Sequence, residues 1–104
     1  MKKIYLAGPM TGHEDFNFPA FHEKARELRE KGYTVFNPAE ADLERWSTLE
    51  EIKAKATYRE CLRVDLLWIL DHAEVIYLLP GWEKSKGVAA ELSLANALGL
   101  EIMQ

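Results

Sequence analysis

The chain predicts an α/β fold in which helices wrap a parallel sheet, on three observations. Two short apolar runs, Lys3-Ile4-Tyr5-Leu6-Ala7 and Glu74-Val75-Ile76-Tyr77-Leu78-Leu79, have the unbroken pattern of strands buried on both faces. Elsewhere the apolar residues recur at spacings of three and four, the period of a one-sided helix. The order that results is βαβαβαβ, which calls for parallel pairing and right-handed crossovers. At 104 residues the chain makes one domain, 1–104, with one core.

The first strand ends at Gly8-Pro9, and Gly8 to His13 form a turn-rich loop whose glycines let backbone amides approach an anion. A plain strand-to-helix turn accounts for that loop equally well. From Pro19 to Lys31, Phe18, Phe21, Ala25 and Leu28 lie on one face and charged residues on the others. Pro19 suits the first turn of this helix and Gly32 its end. Tyr33-Thr34-Val35-Phe36-Asn37-Pro38 reads as the second strand, closed by the proline.

Residues 39–56 carry mixed charge and little periodicity, and are expected to form a mobile connection with one short helix capped by Thr48 and Glu51. Trp46 either covers an edge of the core or closes over a ligand. Thr57-x-x-Glu60 is a second capping box, opening a helix to about Asp71. Tyr58, Cys61, Leu62, Asp65 and Ile69 share one face of that helix, so Asp65 projects among apolar neighbours. Leu66, Leu67, Trp68 and Leu70 make the rest apolar as well, so another helix or another subunit is expected to cover it.

After the third strand comes Leu79-Pro80-Gly81-Trp82-Glu83-Lys84-Ser85-Lys86-Gly87, a loop that opens the last helix, Gly87 to Leu98. Val88, Glu91, Leu92, Ala95 and Leu98 line one face of it, and Glu91 therefore points inward. Gly99 ends the helix, and Leu100 to Met103 supply a last strand. Parallel sheets bind ligands at the carboxyl ends of their strands, near the switch in strand order. Gly8 to His13, Asn37 and Gly81 to Gly87 all fall there, with Asp65 and Glu91 directed to the same end. Two acids in a partly apolar cleft are an arrangement used for glycoside chemistry.

Composition narrows the alternatives. A net charge of -4 disfavours a nucleic-acid backbone as partner, although one phosphate can still bind through amides. No run approaches the roughly 20 apolar residues of a membrane span, and Met1-Lys2-Lys3 leads into no h-region of useful length. The single cysteine, Cys61, excludes an internal disulfide and fits the cytoplasm. His13, His22 and His72 are scattered, so neither a metal nor another cofactor is expected.

Tyr5-Leu6-Ala7-Gly8-Pro9, Asp65 followed by Ala73-Glu74-Val75, and Ser85-x-Gly87-x-x-x-Glu91 resemble the nucleoside 2-deoxyribosyltransferase superfamily, which includes the deoxynucleoside 5'-monophosphate N-glycosidases. Leu79-Pro80-Gly81-Trp82-Glu83-x-Ser85-x-Gly87 is similar to the hallmark of a short bacterial and phage branch of it. The resemblance covers nearly the whole chain apart from residues 39–56. It implies a flavodoxin-like or Rossmann-like three-layer α/β/α fold with a four- or five-stranded parallel sheet, assembled as a homodimer or higher homo-oligomer; the apolar 58–70 helix is the expected interface.

The resemblance further implies cleavage or exchange of the N-glycosidic bond of a 2'-deoxynucleotide or nucleoside. Glu91 would be the nucleophile that forms a covalent glycosyl-enzyme, Tyr5 would orient it, and Asp65 would assist at the sugar or departing base. Gly8, Pro9, Met10, Thr11, Asn37, Trp82, Ser85 and Gly87 would line the substrate. Ser85 stands where transferases of the superfamily carry an aspartate and the monophosphate hydrolases a serine, and a neutral hydroxyl accommodates a 5'-phosphate that a carboxylate would repel. Ser85 also suits a helix cap. Trp82 either stacks on a base or packs in the loop. Thr11 replaces a phosphate-gripping cation of the hydrolases, leaving that charge to Lys84, Lys86 or a neighbouring subunit. Two other classes stay open: a nucleotide- or ADP-ribose-binding module without turnover, and an interaction protein built on the Leu66 to Leu70 face.

Overall fold

The computed structural model describes residues 2–104, and among these four strands form a single all-parallel sheet. The strands are β1 (Lys3–Ala7), β2 (Thr34–Phe36), β3 (Val75–Leu78) and β4 (Glu101–Met103), in the spatial order β2-β1-β3-β4. Five helices accompany them: α1 (Phe18–Glu30), α2 (Pro38–Trp46), α3 (Leu49–Lys55), α4 (Tyr58–His72) and α5 (Lys86–Leu98). The architecture is the expected three-layer α/β/α arrangement of Rossmann-like and flavodoxin-like proteins, with four strands. Register is fixed by the central strand, where Tyr5 lies between Phe36 on one side and Ile76 on the other.

Alternation along β1 and β3 divides the core in two. Ile4, Leu6, Val35 and Val75 face α1, whose Phe18, Phe21, Ala25 and Leu28 are buried, and Ala39, Trp46 and Ile52 extend this layer. Tyr5, Ala7, Ile76 and Leu78 face the other way, onto Ile69 of α4 and Val88 and Ala95 of α5. Burying side chains of this size contributes roughly 1.5–3 kcal/mol each, so the central strand is the best-anchored part of the fold.

The stretch 39–56 differs from the expectation of a mobile connection with one short helix. It forms two helices, α2 and α3. Asn37 caps α2 by accepting from the Ala39 amide at 3.0 Å, and Pro38, expected only to stop the strand, occupies the first helical turn. Arg29 on α1 then grips Glu40 through two hydrogen bonds of 2.7 and 2.6 Å, fastening α2 to the body. Thr48 caps α3 and Thr57 caps α4, each accepting from the amide three residues on at 3.1 Å. Trp46 is buried at the edge of the core.

The burial expected around α4 is only partly met within the chain. Asp65 and Ile69 are buried and α5 packs alongside, but Leu67 and Leu70 are 46% and 54% exposed. Tyr58 and Leu98, expected on inward faces, are exposed; Tyr58 is the first residue of α4 and Leu98 the last of α5.

Candidate active site

The order β2-β1-β3-β4 puts the switch between β1 and β3, because the chain leaves β1 toward one edge and returns past it toward the other. The loops that follow these two strands are pinned together. A Cβ on Gly8 would lie 2.9 Å from Cβ of Leu79, and the Leu79 amide donates to the Ala7 carbonyl at 2.8 Å. Gly81, at φ +88°, approaches Pro9 so closely that a Cβ would stand 3.2 Å from its ring. Gly8 is therefore demanded by the close approach of the Leu79 side chain, and Gly81 by its left-handed backbone beside the Pro9 ring. Beyond Pro9, Met10 to His13 close a turn through a 3.1 Å hydrogen bond, with Gly12 at φ +83° and Thr11 exposed. The Asn17 amide donates to the Pro9 carbonyl at 3.0 Å and holds the far end of the loop.

Behind this junction the Tyr5 hydroxyl donates to Oε2 of Glu91 at 2.6 Å, fully out of solvent. Glu91 is 6% exposed because it occupies the inward face of α5 between Val88 and Ala95. Burial raises its pKa to about 8; the Tyr5 bond pulls downward and the Asp65 charge upward. Asp65, 9% exposed on α4, is raised to about 7, again mainly by burial, then by the charge of Asp42, with the Tyr5 hydroxyl nearby working the other way. Its Oδ1 is buried without a hydrogen-bond partner. Burial and both acids push the Tyr5 phenol well above its ordinary value, so it stays a donor.

Three residues expected together, Tyr5, Asp65 and Glu91, are thus brought together. The others divide. Gly8 and Pro9 build the junction, with Met10 packed beneath it. Asn37 is buried, but its carbonyl caps α2 and its amide meets Nδ1 of His22 at 3.2 Å, so its polar atoms are engaged within the protein. Ser85 is the cap of α5, accepting from the Val88 amide at 3.2 Å. Trp82 packs against the α4–α5 side of the core and directs its indole nitrogen to Gln104 at 3.3 Å. Trp82 and Ser85 line a groove of about 260 Å³ with Leu92 and Asn96, a lining that does not include Glu91. At Gly87 a Cβ would stand 3.3 Å from the Tyr58 hydroxyl, which places Tyr58 over the start of α5.

Sequence reasoning passed over Phe36, Asp42 and Trp68. Phe36 stacks on Tyr5 at 5.6 Å and on Trp68 at 5.0 Å between ring centres, so an aromatic layer backs the catalytic candidates. Asp42, on α2, is 8% exposed, and its pKa is raised to about 6 by burial. Phe36 carried a signal, as the last apolar residue of β2 beside Tyr5. Asp42 carried none, since its helix was not foreseen.

The fold and site define a parallel α/β protein with buried acids gathered at the switch point. The chain belongs to a domain family of unknown function, DUF4406, whose model matches residues 2–104. No curated protein matches it.

Proposed function

We propose that the protein cleaves or exchanges the N-glycosidic bond of a 2'-deoxynucleotide, with a 5'-monophosphate favoured, through a covalent glycosyl-enzyme on Glu91. The observation that carries this reading is the buried 2.6 Å contact from Tyr5 to Oε2 of Glu91. It fixes one carboxylate oxygen and leaves the other for an anomeric carbon. In the form of the pair in which Glu91 is ionised and Asp65 holds the proton, Glu91 attacks that carbon as the bond to the base breaks and Asp65 gives its proton to the departing base. Water or a second base then displaces the sugar from Glu91. A 2-deoxy sugar suits the site because its oxocarbenium-like transition state lacks an electron-withdrawing 2-hydroxyl, and a carboxylate in a dry pocket stabilises that charge strongly.

The preference for a monophosphate draws on Ser85 and Gly87 at the amino end of α5, where a neutral hydroxyl and helix amides favour an anion. No described helix is long and apolar enough to cross a membrane; with the single cysteine, this supports a cytoplasmic site of action. The protein acts as a homodimer through the exposed Leu67 and Leu70 of α4. Arg63 and Asp71, both exposed, lie four residues to either side of Leu67, so antiparallel pairing of two α4 helices sets opposite charges face to face.

The test is release of free base from a panel of deoxynucleoside monophosphates, with and without an acceptor base, followed by chromatography. Release is expected from the wild type and is abolished in Glu91→Ala. No release across the panel would sink the enzymatic reading. A second reading, a nucleotide- or ADP-ribose-binding module without turnover, draws on the pKa of about 8 for Glu91. A carboxyl protonated at neutral pH donates a hydrogen bond but does not attack. In that case nucleotides bind to wild type and Glu91→Gln alike, and no base appears; loss of binding in Glu91→Gln would count against it.

A further inference from the structure

A cavity of about 370 Å³ opens between α2 and α4, walled by Phe36, Trp46 and Val64, with Asp42, Glu44, Arg45 and Cys61 as its polar contributors, of which Asp42 is the buried carboxyl and Glu44 an exposed one. Its volume falls in the range of small-ligand pockets, and its walls combine two aromatic rings with one buried carboxyl. The cavity adjoins the candidate active site through two independent links. Phe36, which lines it, stacks directly on Tyr5. Cys61, which also lines it, lies one helical turn before Asp65 on α4, and the charge of Asp42 reaches Asp65.

We infer that this cavity receives the heterocyclic base of a nucleotide whose sugar lies at Glu91, and that Asp42 selects bases carrying an exocyclic amino group. The inference rests on the deoxynucleotide reading and extends it to the class of base. An ionised carboxylate only accepts hydrogen bonds. Cytosine presents an amino donor at the position where uracil and thymine present a carbonyl acceptor, and adenine presents one where guanine presents a carbonyl, so the amino group meant is that of cytosine or adenine. A carbonyl set against the Asp42 carboxylate would leave two acceptors facing each other in a site that water does not rescue, whereas an amino group satisfies both partners. Burial also brings Asp42 to about 6, so at mildly acid pH the protonated carboxyl both donates and accepts, pairs with uracil as readily as with cytosine, and the preference falls. The Cys61 thiol lies against Asp42, and its pKa is pushed up to about 12, so it remains a neutral positioning group there. Arg45, which also lines the cavity, holds its guanidinium 5.4 Å from the Trp46 ring and so supports that wall.

The test uses nucleotides differing at one position, dCMP and dUMP, titrated calorimetrically into Glu91→Gln so that no substrate is consumed, with dAMP, dGMP and dTMP as further ligands. dCMP is expected to bind at least about tenfold more tightly than dUMP. Asp42→Asn in the same background, whose amide both donates and accepts, brings the two within about threefold; Asp42→Ser serves as the second variant should the first fold poorly. Equal affinity for dCMP and dUMP, tighter binding of dUMP, or a preference that survives both substitutions overturns the inference while leaving the nucleotide reading intact. Binding of none of the five nucleotides overturns both.

Discussion

Tyr5 and Glu91, 86 residues apart in the chain, share a buried hydrogen bond of 2.6 Å, and each owes its position to a different element. Tyr5 is fixed by β1, hydrogen-bonded on both sides, and by the stacked ring of Phe36. Glu91 is fixed by the register of α5, whose start is set by the Ser85 cap and whose end is set by Gly99 in a left-handed conformation. The phenol therefore meets the carboxyl without either side chain having freedom to search for the other.

Tyr5→Phe removes that donor and keeps the ring. The buried Glu91 carboxyl then loses its partner, and stability is expected to fall by about 1–3 kcal/mol in urea denaturation. Base release is expected to drop by about 10- to 100-fold, because the attacking oxygen is no longer held in line. Since the Tyr5 bond pulls the Glu91 pKa downward, its loss moves the alkaline part of the pH–rate profile further up. Unchanged activity at the wild-type pH optimum would show that Tyr5 does not orient the nucleophile.

Much of this site was legible in the sequence, for identifiable reasons. Asp65 and Glu91 stood out because an acid on the apolar face of a helix breaks a pattern, and burial then confirmed both as inward. Gly8 and Gly81 were visible as loop residues, but the close approaches that require them, to Leu79 and Pro9, depend on which strands are neighbours. Residues 39–56 were illegible because α2 and α3 are short and held by tertiary contacts such as Arg29–Glu40, which leave little periodicity to read. Asp42 was lost with them. Ser85, weighed as cap or phosphate ligand, has its hydroxyl oxygen at the cap.

The acids make stability depend on pH, and with it the proposed activity. Asp65 at about 7 and Glu91 at about 8 titrate as an interacting pair, so kcat/KM is expected to follow a bell with limbs near those values, whichever group carries the shared proton. For stability, the unfolded chain releases these protons near the ordinary carboxyl pKa of about 4, while the folded chain keeps them up to the raised values. Between those limits the native state binds more protons, and stability falls as pH rises. The melting temperature is expected to drop by roughly 10 °C from pH 5.5 to 9. Glu91→Gln removes one of the three raised carboxyls, leaving Asp42 and Asp65, and flattens the slope, raising the melting temperature at pH 8.5. A melting temperature constant across this range in the wild type would contradict the buried neutral state of the pair.

The dimer proposed through α4 is testable apart from the chemistry. Leu67 and Leu70 stand one turn apart on the exposed face, and neither belongs to the two core clusters, so replacing them leaves the folded chain intact. Leu67→Glu with Leu70→Glu sets four carboxylates into the seam of an antiparallel α4 pair, where their repulsion and desolvation oppose association. Sedimentation is expected to report a dimer for the wild type and a monomer of unchanged helical content for the double variant. The charge pairing gives a second, more specific readout. Arg63→Asp alone places like charges opposite Asp71 and weakens the dimer, and Asp71→Arg added to it restores the pair in reversed order. Restoration by the second substitution is particular to the antiparallel arrangement, because a parallel pair of α4 helices sets Arg63 against Arg63, and Arg63→Asp on both copies only exchanges one like-charge pair for another. A wild-type chain that sediments as a monomer at all accessible concentrations removes the interface altogether.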